Sequence, residues 1–157
     1  MASYWKQLSF LVVLFFLIII LIQASSWYLF YSYYLEAGIE AYYFGTGELG
    51  SKTIGGLLEV IIPHLASQAI VLFLLSHFLV LFSGKKNLHD QVAIGLLVSA
   101  FLNIFAGPLV LMTGIGYIKI FTYILFQIFF TLSLYLIFKS FIFSHFKSET
   151  KVSRVSL

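Results

Sequence analysis

IGGLLEVIIPHLASQAIVLFLLSHFLVLFS, Ile54–Ser83, is a single apolar run. It is longer than the roughly 20 residues needed to cross the hydrocarbon core of a bilayer. It carries Glu59, His64, Ser67, Gln68, Ser76 and His77. An ionisable side chain at bilayer depth is costly, so each one marks a place where a partner or a function must be sought. The run therefore fixes the class of the protein and also supplies its first candidate site.

Immediately upstream, residues 35–53, LEAGIEAYYFGTGELGSKT, form the one substantial loop, expected on the outer side. Its glycines predict tight turns. GTGELGSKT places Lys-Thr after a glycine-rich stretch, but the spacing is wrong for a phosphate-binding loop and no strand precedes it. Downstream, Gly84-Lys85-Lys86 ends the run, and NLHD, residues 87–90, makes a short turn in which Asp90 is placed to cap the next helix.

The same apolar character recurs along the chain. Spans are predicted at about 8–33, 54–83, 92–111 and 118–143, with a polar, unstructured tail at 144–157. Trp5 and Lys6 sit at the entry interface, and the tryptophan and tyrosines of WYLFYSYY read as an interfacial belt. QASS after the first run resembles a leader-cleavage site, but the apolar pattern resumes at once, so a span is expected there. Gly107-Pro108 is expected to kink the third span.

Composition agrees. Of 157 residues 61% are hydrophobic and 10% charged, which no water-soluble domain of this size sustains. No cysteine is present, so disulfides, thiolate metal sites and iron–sulfur clusters are excluded. No Ser/His/Asp set, HExxH or paired carboxylate occurs, so the chain is not expected to be an enzyme by itself. The net charge of +3 is too small to suggest nucleic-acid binding and reports orientation instead.

Lys6, Lys85, Lys86, Lys139, Lys147, Lys151 and Arg154 fall on one side, and Lys52 and Lys119 on the other. The positive-inside rule then places both termini in the cytoplasm. Short connections make successive spans neighbours. The expected fold is an all-α integral membrane bundle of four antiparallel helices, in a bacterial inner membrane.

Within the second span, His64 and His77 are 13 residues apart, about 20 Å along a helix. One imidazole is thus placed toward each leaflet. Two histidines at two levels of one span resemble the arrangement in membrane b-type cytochromes, where imidazoles ligate two haems. The helical phase opposes a shared face, because 13 residues turn through about 220°. Glu59 and His77 share one face, and His64, Ser67 and Gln68 another.

The expected function is therefore that of a b-type haem-binding electron-transfer subunit, with His64 and His77 as axial ligands. His145, or else His89, would supply a second ligand on the inner side. A level-matched partner for His64 must come from a second copy or another membrane subunit, and Glu59 with Lys52 would shape an outer rim near a quinone. One alternative is an accessory or assembly subunit without catalysis, in which His64, Ser67, Gln68, Asn103 and Gln127 are interhelical hydrogen-bonding groups. Another is an ion or proton conduit.

Overall fold

A computed structural model describes residues 2–36, 38–45, 50–81 and 86–153; of these, the side chains of 2–9, 86 and 141–153 are left undescribed. All regular structure among these residues is helical. The elements are α1 (Ala2–Phe30), a π-helical turn (Tyr31–Glu36), α2 (Ile39–Phe44), α3 (Ile54–Leu81), α4 (Lys86–Thr113) and α5 (Tyr117–Ser153). Four segments are long and apolar enough to cross a membrane: Phe10–Glu36, Ile54–Leu81, Asn87–Thr113 and Tyr117–Ser140.

The chain divides into two compact units, Met1–Ser51 and Lys52–Leu157. In the first, α1 is apolar on every side, with Phe10, Leu17, Leu21 and Ile22 all exposed. A helix apolar all round is suited to lipid. The π-helical turn and α2 form a tyrosine cluster. Tyr34 lies 4.9 Å from Tyr42 and 6.0 Å from Tyr43 between ring centroids, and Tyr42 meets Tyr43 edge-on at 5.0 Å. Tyr43 is fully buried. That burial pushes its phenol up to about 12, against a lowering by the Tyr34 hydroxyl hydrogen bond. The loop expected at 35–53 thus contains a short helix, α2, built where aromatic rings stack on one another.

The second unit is an antiparallel arrangement of α3, α4 and α5. Its most extensive seam joins α4 to α5. On α4 the buried positions Val92, Ala93, Leu96, Ser99, Ala100, Asn103, Ala106 and Val110 recur every three or four residues, the spacing of one helix face. Most are small. Facing them, α5 buries Tyr123, Phe126, Phe130, Leu136 and Ile137. Lipid tails are as apolar as leucine, so association in a membrane relies on close packing, which small residues permit.

Gly95 marks the closest approach: the Phe129 ring occupies the space that a Cβ on Gly95 would fill. The turn between these helices is tight. Gly114, at φ +73°, adopts the left-handed conformation that glycine enters freely, and its N–H donates to Val110 O at 2.8 Å. Pro108 is accommodated inside α4. α5 continues as helix to Ser153, into the tail expected to be unstructured, because no glycine or proline interrupts it.

α3 is different along its length. Its C-terminal half buries Leu72, Leu75 and Leu79, beside the short link to α4. Between Leu57 and Leu72 it buries no side chain. Connectivity holds α3 to α4 at one end only, and Pro63 interrupts the other half.

Candidate functional site

The polar residues of the second unit fall into two groups, separated by burial. Among the described residues, the buried polar side chains are His89, Ser99, Asn103, Thr122, Gln127 and Ser133, and all lie on α4 or α5. Those on α3 are exposed or at most half-buried. The helix that sequence reading singles out therefore leaves Glu59, His64, Ser67 and His77 exposed, whereas the helices it treats as ordinary spans enclose Ser99, Asn103, Thr122, Gln127 and Ser133.

On α3, Glu59 and His64 are exposed. The His64 ring bonds through Nδ1 to Val60 O at 2.9 Å. A carbonyl oxygen only accepts, so Nδ1 carries a proton, and in the neutral ring Nε2 then keeps the lone pair. That is the tautomer of a metal-ligating imidazole, whose other nitrogen donates to a carbonyl or carboxylate. It also suits an imidazole that accepts a hydrogen bond from a neighbouring chain. Ser67 Oγ donates to His64 O at 3.0 Å. Pro63 has no N–H, so the carbonyl of Glu59 loses its intrahelical donor at this level. Below, Gln68 Oε1 and Ser76 Oγ are enclosed without a hydrogen-bond partner.

His77 is exposed, its ring stacked on Phe73 with centroids 6.0 Å apart and planes 15° from parallel. His89 is buried near the start of α4, so it occupies a different environment from His77. His145 lies on α5, where its side chain is outside the described residues. Among the described residues, no three of histidine, aspartate and glutamate gather to hold a metal ion. His64 and His77 remain two single imidazoles at two levels.

Between α4 and α5, Lys119 Nζ donates to Asn103 O and Asn103 Oδ1, each at 3.0 Å. A lysine two residues into α5 is thereby turned inward onto an asparagine on the facing helix. Asn103 sits one residue before Ile104, whose carbonyl loses its donor to Pro108. Such a charge-assisted bond contributes about 1.5–3 kcal/mol. The hydroxyls along the seam close onto their own helices. Ser99 donates to Leu96 O at 3.1 Å, Thr122 to Ile118 O at 2.9 Å, and Ser133 to Phe129 O at 2.7 Å.

Of the polar residues expected on sequence grounds, Asn103 is joined by the structure to another helix through its side chain. Its partner was countable only as an outer-side charge. An ionisable residue inside an apolar run is itself the signal that could have found Lys119. Ser99 and Ser133 carried a fainter one, as small residues at interface spacing.

A family model described as a transmembrane helical domain, Aq_1264_TM, matches residues 33–150, most of the 157-residue chain. No curated protein and no solved structure matches it.

Proposed function

The chain belongs to the Aq_1264_TM family of transmembrane helical domains, and we propose that it serves as a non-catalytic subunit that assembles with a second copy through the outer half of α3. The observation carrying this reading is the exposure of Glu59, His64 and Ser67 along a stretch where α3 buries nothing. Carboxyl and imidazole groups facing hydrocarbon are disfavoured by up to several kcal/mol. A protein partner removes that cost by supplying hydrogen bonds. Self-association suits this stretch because it presents several hydrogen-bonding groups together: the Glu59 carboxyl, the Nε2 of His64 and the Ser67 hydroxyl oxygen.

In this reading the termini lie in the cytoplasm of a bacterial inner membrane. The Lys/Arg bias supports that orientation, and Lys119 no longer counts against it, since its ammonium bonds to Asn103 inside the bundle. The test is cross-linking in membranes. The chain has no cysteine, so single substitutions at Val60, His64 and Ser67 report without background. Disulfide-linked dimers are expected from at least one of these positions. Monomers from all of them, in membranes where the protein is folded, contradict the proposal.

A second reading has its own observation. With Nδ1 proton-bearing toward Val60 O, His64 offers Nε2 as an axial ligand for haem b. The sixth ligand would come from a second copy, and His77 would serve an inner haem in the same way. A reduced-minus-oxidised spectrum of protein expressed with haem supplied tests this. A haem b band lost in His64→Ala supports it; a colourless protein overturns it.

A further inference from the structure

Glu59 and His64 stand five residues apart on α3, and both are exposed. At 100° per residue they lie about 140° apart around the helix. The exposed residues Val60, Pro63, Ser67 and Leu74 fall in the arc between them. Three of these, Val60, Ser67 and Leu74, repeat every seven positions. The arc is turned about 120° from the face that buries Leu72, Leu75 and Leu79. The N-terminal half of α3 thus carries a narrow strip of apolar and small residues, edged by a carboxyl on one side and an imidazole on the other.

That is the layout of one helix in a parallel pair. Residues on a seven-residue repeat form the seam, and polar residues on its two flanks bond across it. Copies inserted the same way in a membrane bring α3 against α3 in parallel, around a two-fold axis. A two-fold axis sets one flank of each helix against the opposite flank of the other, so Glu59 of each copy faces His64 of the second. The two residues differ in level by five residues, about 7.5 Å of rise. The His64 ring closes part of that gap, because its Nδ1 bonds to Val60 O at 2.9 Å and the ring lies back over the turn next to Glu59. Nε2 of the neutral ring only accepts, so the hydrogen of a bond to it comes from the Glu59 carboxyl.

We infer that two copies join in parallel along Val60, Ser67 and Leu74, with the Glu59 carboxyl of each bonded to His64 Nε2 of the other. This register presupposes the self-association proposed above and assigns it a seam and a reciprocal pair of bonds.

The experiment uses the full chain in lipid vesicles, labelled for Förster transfer at a single cysteine replacing Tyr117, an exposed residue of α5. Glu59→Met removes both bonds from a pair of like copies, and so does His64→Ala. Mixed together, the two variants regain one bond, from the intact Glu59 of one to the intact His64 of the other. The mixed pair is expected to associate about fivefold more tightly than either variant with itself, and about fivefold less tightly than the wild type, the usual strength of one interhelical hydrogen bond in a membrane. Transfer in the wild type with no gain on mixing overturns the pairing and leaves self-association standing. No transfer in the wild type overturns both. A second measurement needs neither bond: copies with Glu59→Cys and copies with His64→Cys, told apart by a size tag, should form mixed disulfides in preference to Glu59→Cys dimers. Glu59→Cys dimers in equal yield would overturn the register.

Discussion

The N-terminal half of α3 and the α4–α5 seam handle polarity in opposite ways. The seam encloses its polar groups and ties the largest of them across helices, Lys119 onto Asn103. α3 leaves Glu59 and His64 exposed and satisfies what it can locally, with His64 bonded to Val60 and Ser67 bonded to His64. Small residues explain the difference. Ala93, Gly95, Ser99, Ala100 and Ala106 let α5 approach α4 closely, whereas α3 buries no side chain between Leu57 and Leu72. A polar group inside a close-packed seam stabilises a fold; on the proposed reading, one left outside serves an assembly.

The contrast breaks most sharply at Gly95. Gly95→Leu drives a side chain into the Phe129 ring and is expected to destabilise the protein by about 3 kcal/mol, the upper range for overpacking. Reversible unfolding in mixed micelles measures it. Adding Phe129→Ala should restore part of the loss, because it vacates the space that the leucine needs. The same pair of changes on lipid-facing positions should show no such coupling.

The Lys119–Asn103 contact comes next. Asn103→Leu leaves an ammonium without its side-chain acceptor and is expected to cost about 2 kcal/mol. Lys119→Met removes the charge with the bond and should cost less, since both the need and the partner are reduced. Equal losses from the two would mean that the ammonium is already solvated from outside.

A further contrast lies in the first unit. Burial raises the Tyr43 phenol to about 12 from an ordinary 10. The folded state therefore holds its proton more tightly than the unfolded chain. The stability linked to Tyr43 is fully present below pH 10 and declines as pH rises from there through about 12. Phenolate absorbance in an alkaline titration should show a late-titrating tyrosine that disappears in Tyr43→Phe.

The smallest effects are expected on α3. Glu59→Gln and His64→Ala should change the unfolding free energy of the monomer by no more than about 0.5 kcal/mol, as for other exposed positions. Their effect should appear in association instead. A large loss of monomer stability from either would place these side chains in a folded core and erase the distinction drawn between the two regions.

Much of this fold is legible from hydropathy alone. Runs of 20 or more apolar residues in a cysteine-free chain dictate membrane-spanning helices, and short links dictate antiparallel neighbours. The site is less legible, because periodicity places a residue on a helix face without saying which face is covered. His64 and His77 stand out by residue type, yet packing is set by glycine, alanine and serine on α4, whose signal is their small size. Phe129 reads as one more lipid-facing aromatic until Gly95 is seen against it. Lys119 reads as an exterior charge until its ammonium is found on Asn103.

The most direct test of the account is a cysteine scan in native-like bilayers that compares α3 positions 59–68 with seam positions Ser99 and Ser133, scored by disulfide-linked dimer. Dimers from the α3 stretch in a helical repeat, with none from the seam, are the predicted result. A scan in which every α3 cysteine stays monomeric, and is labelled from the lipid phase as readily as Phe121 on the outside of α5, would contradict it.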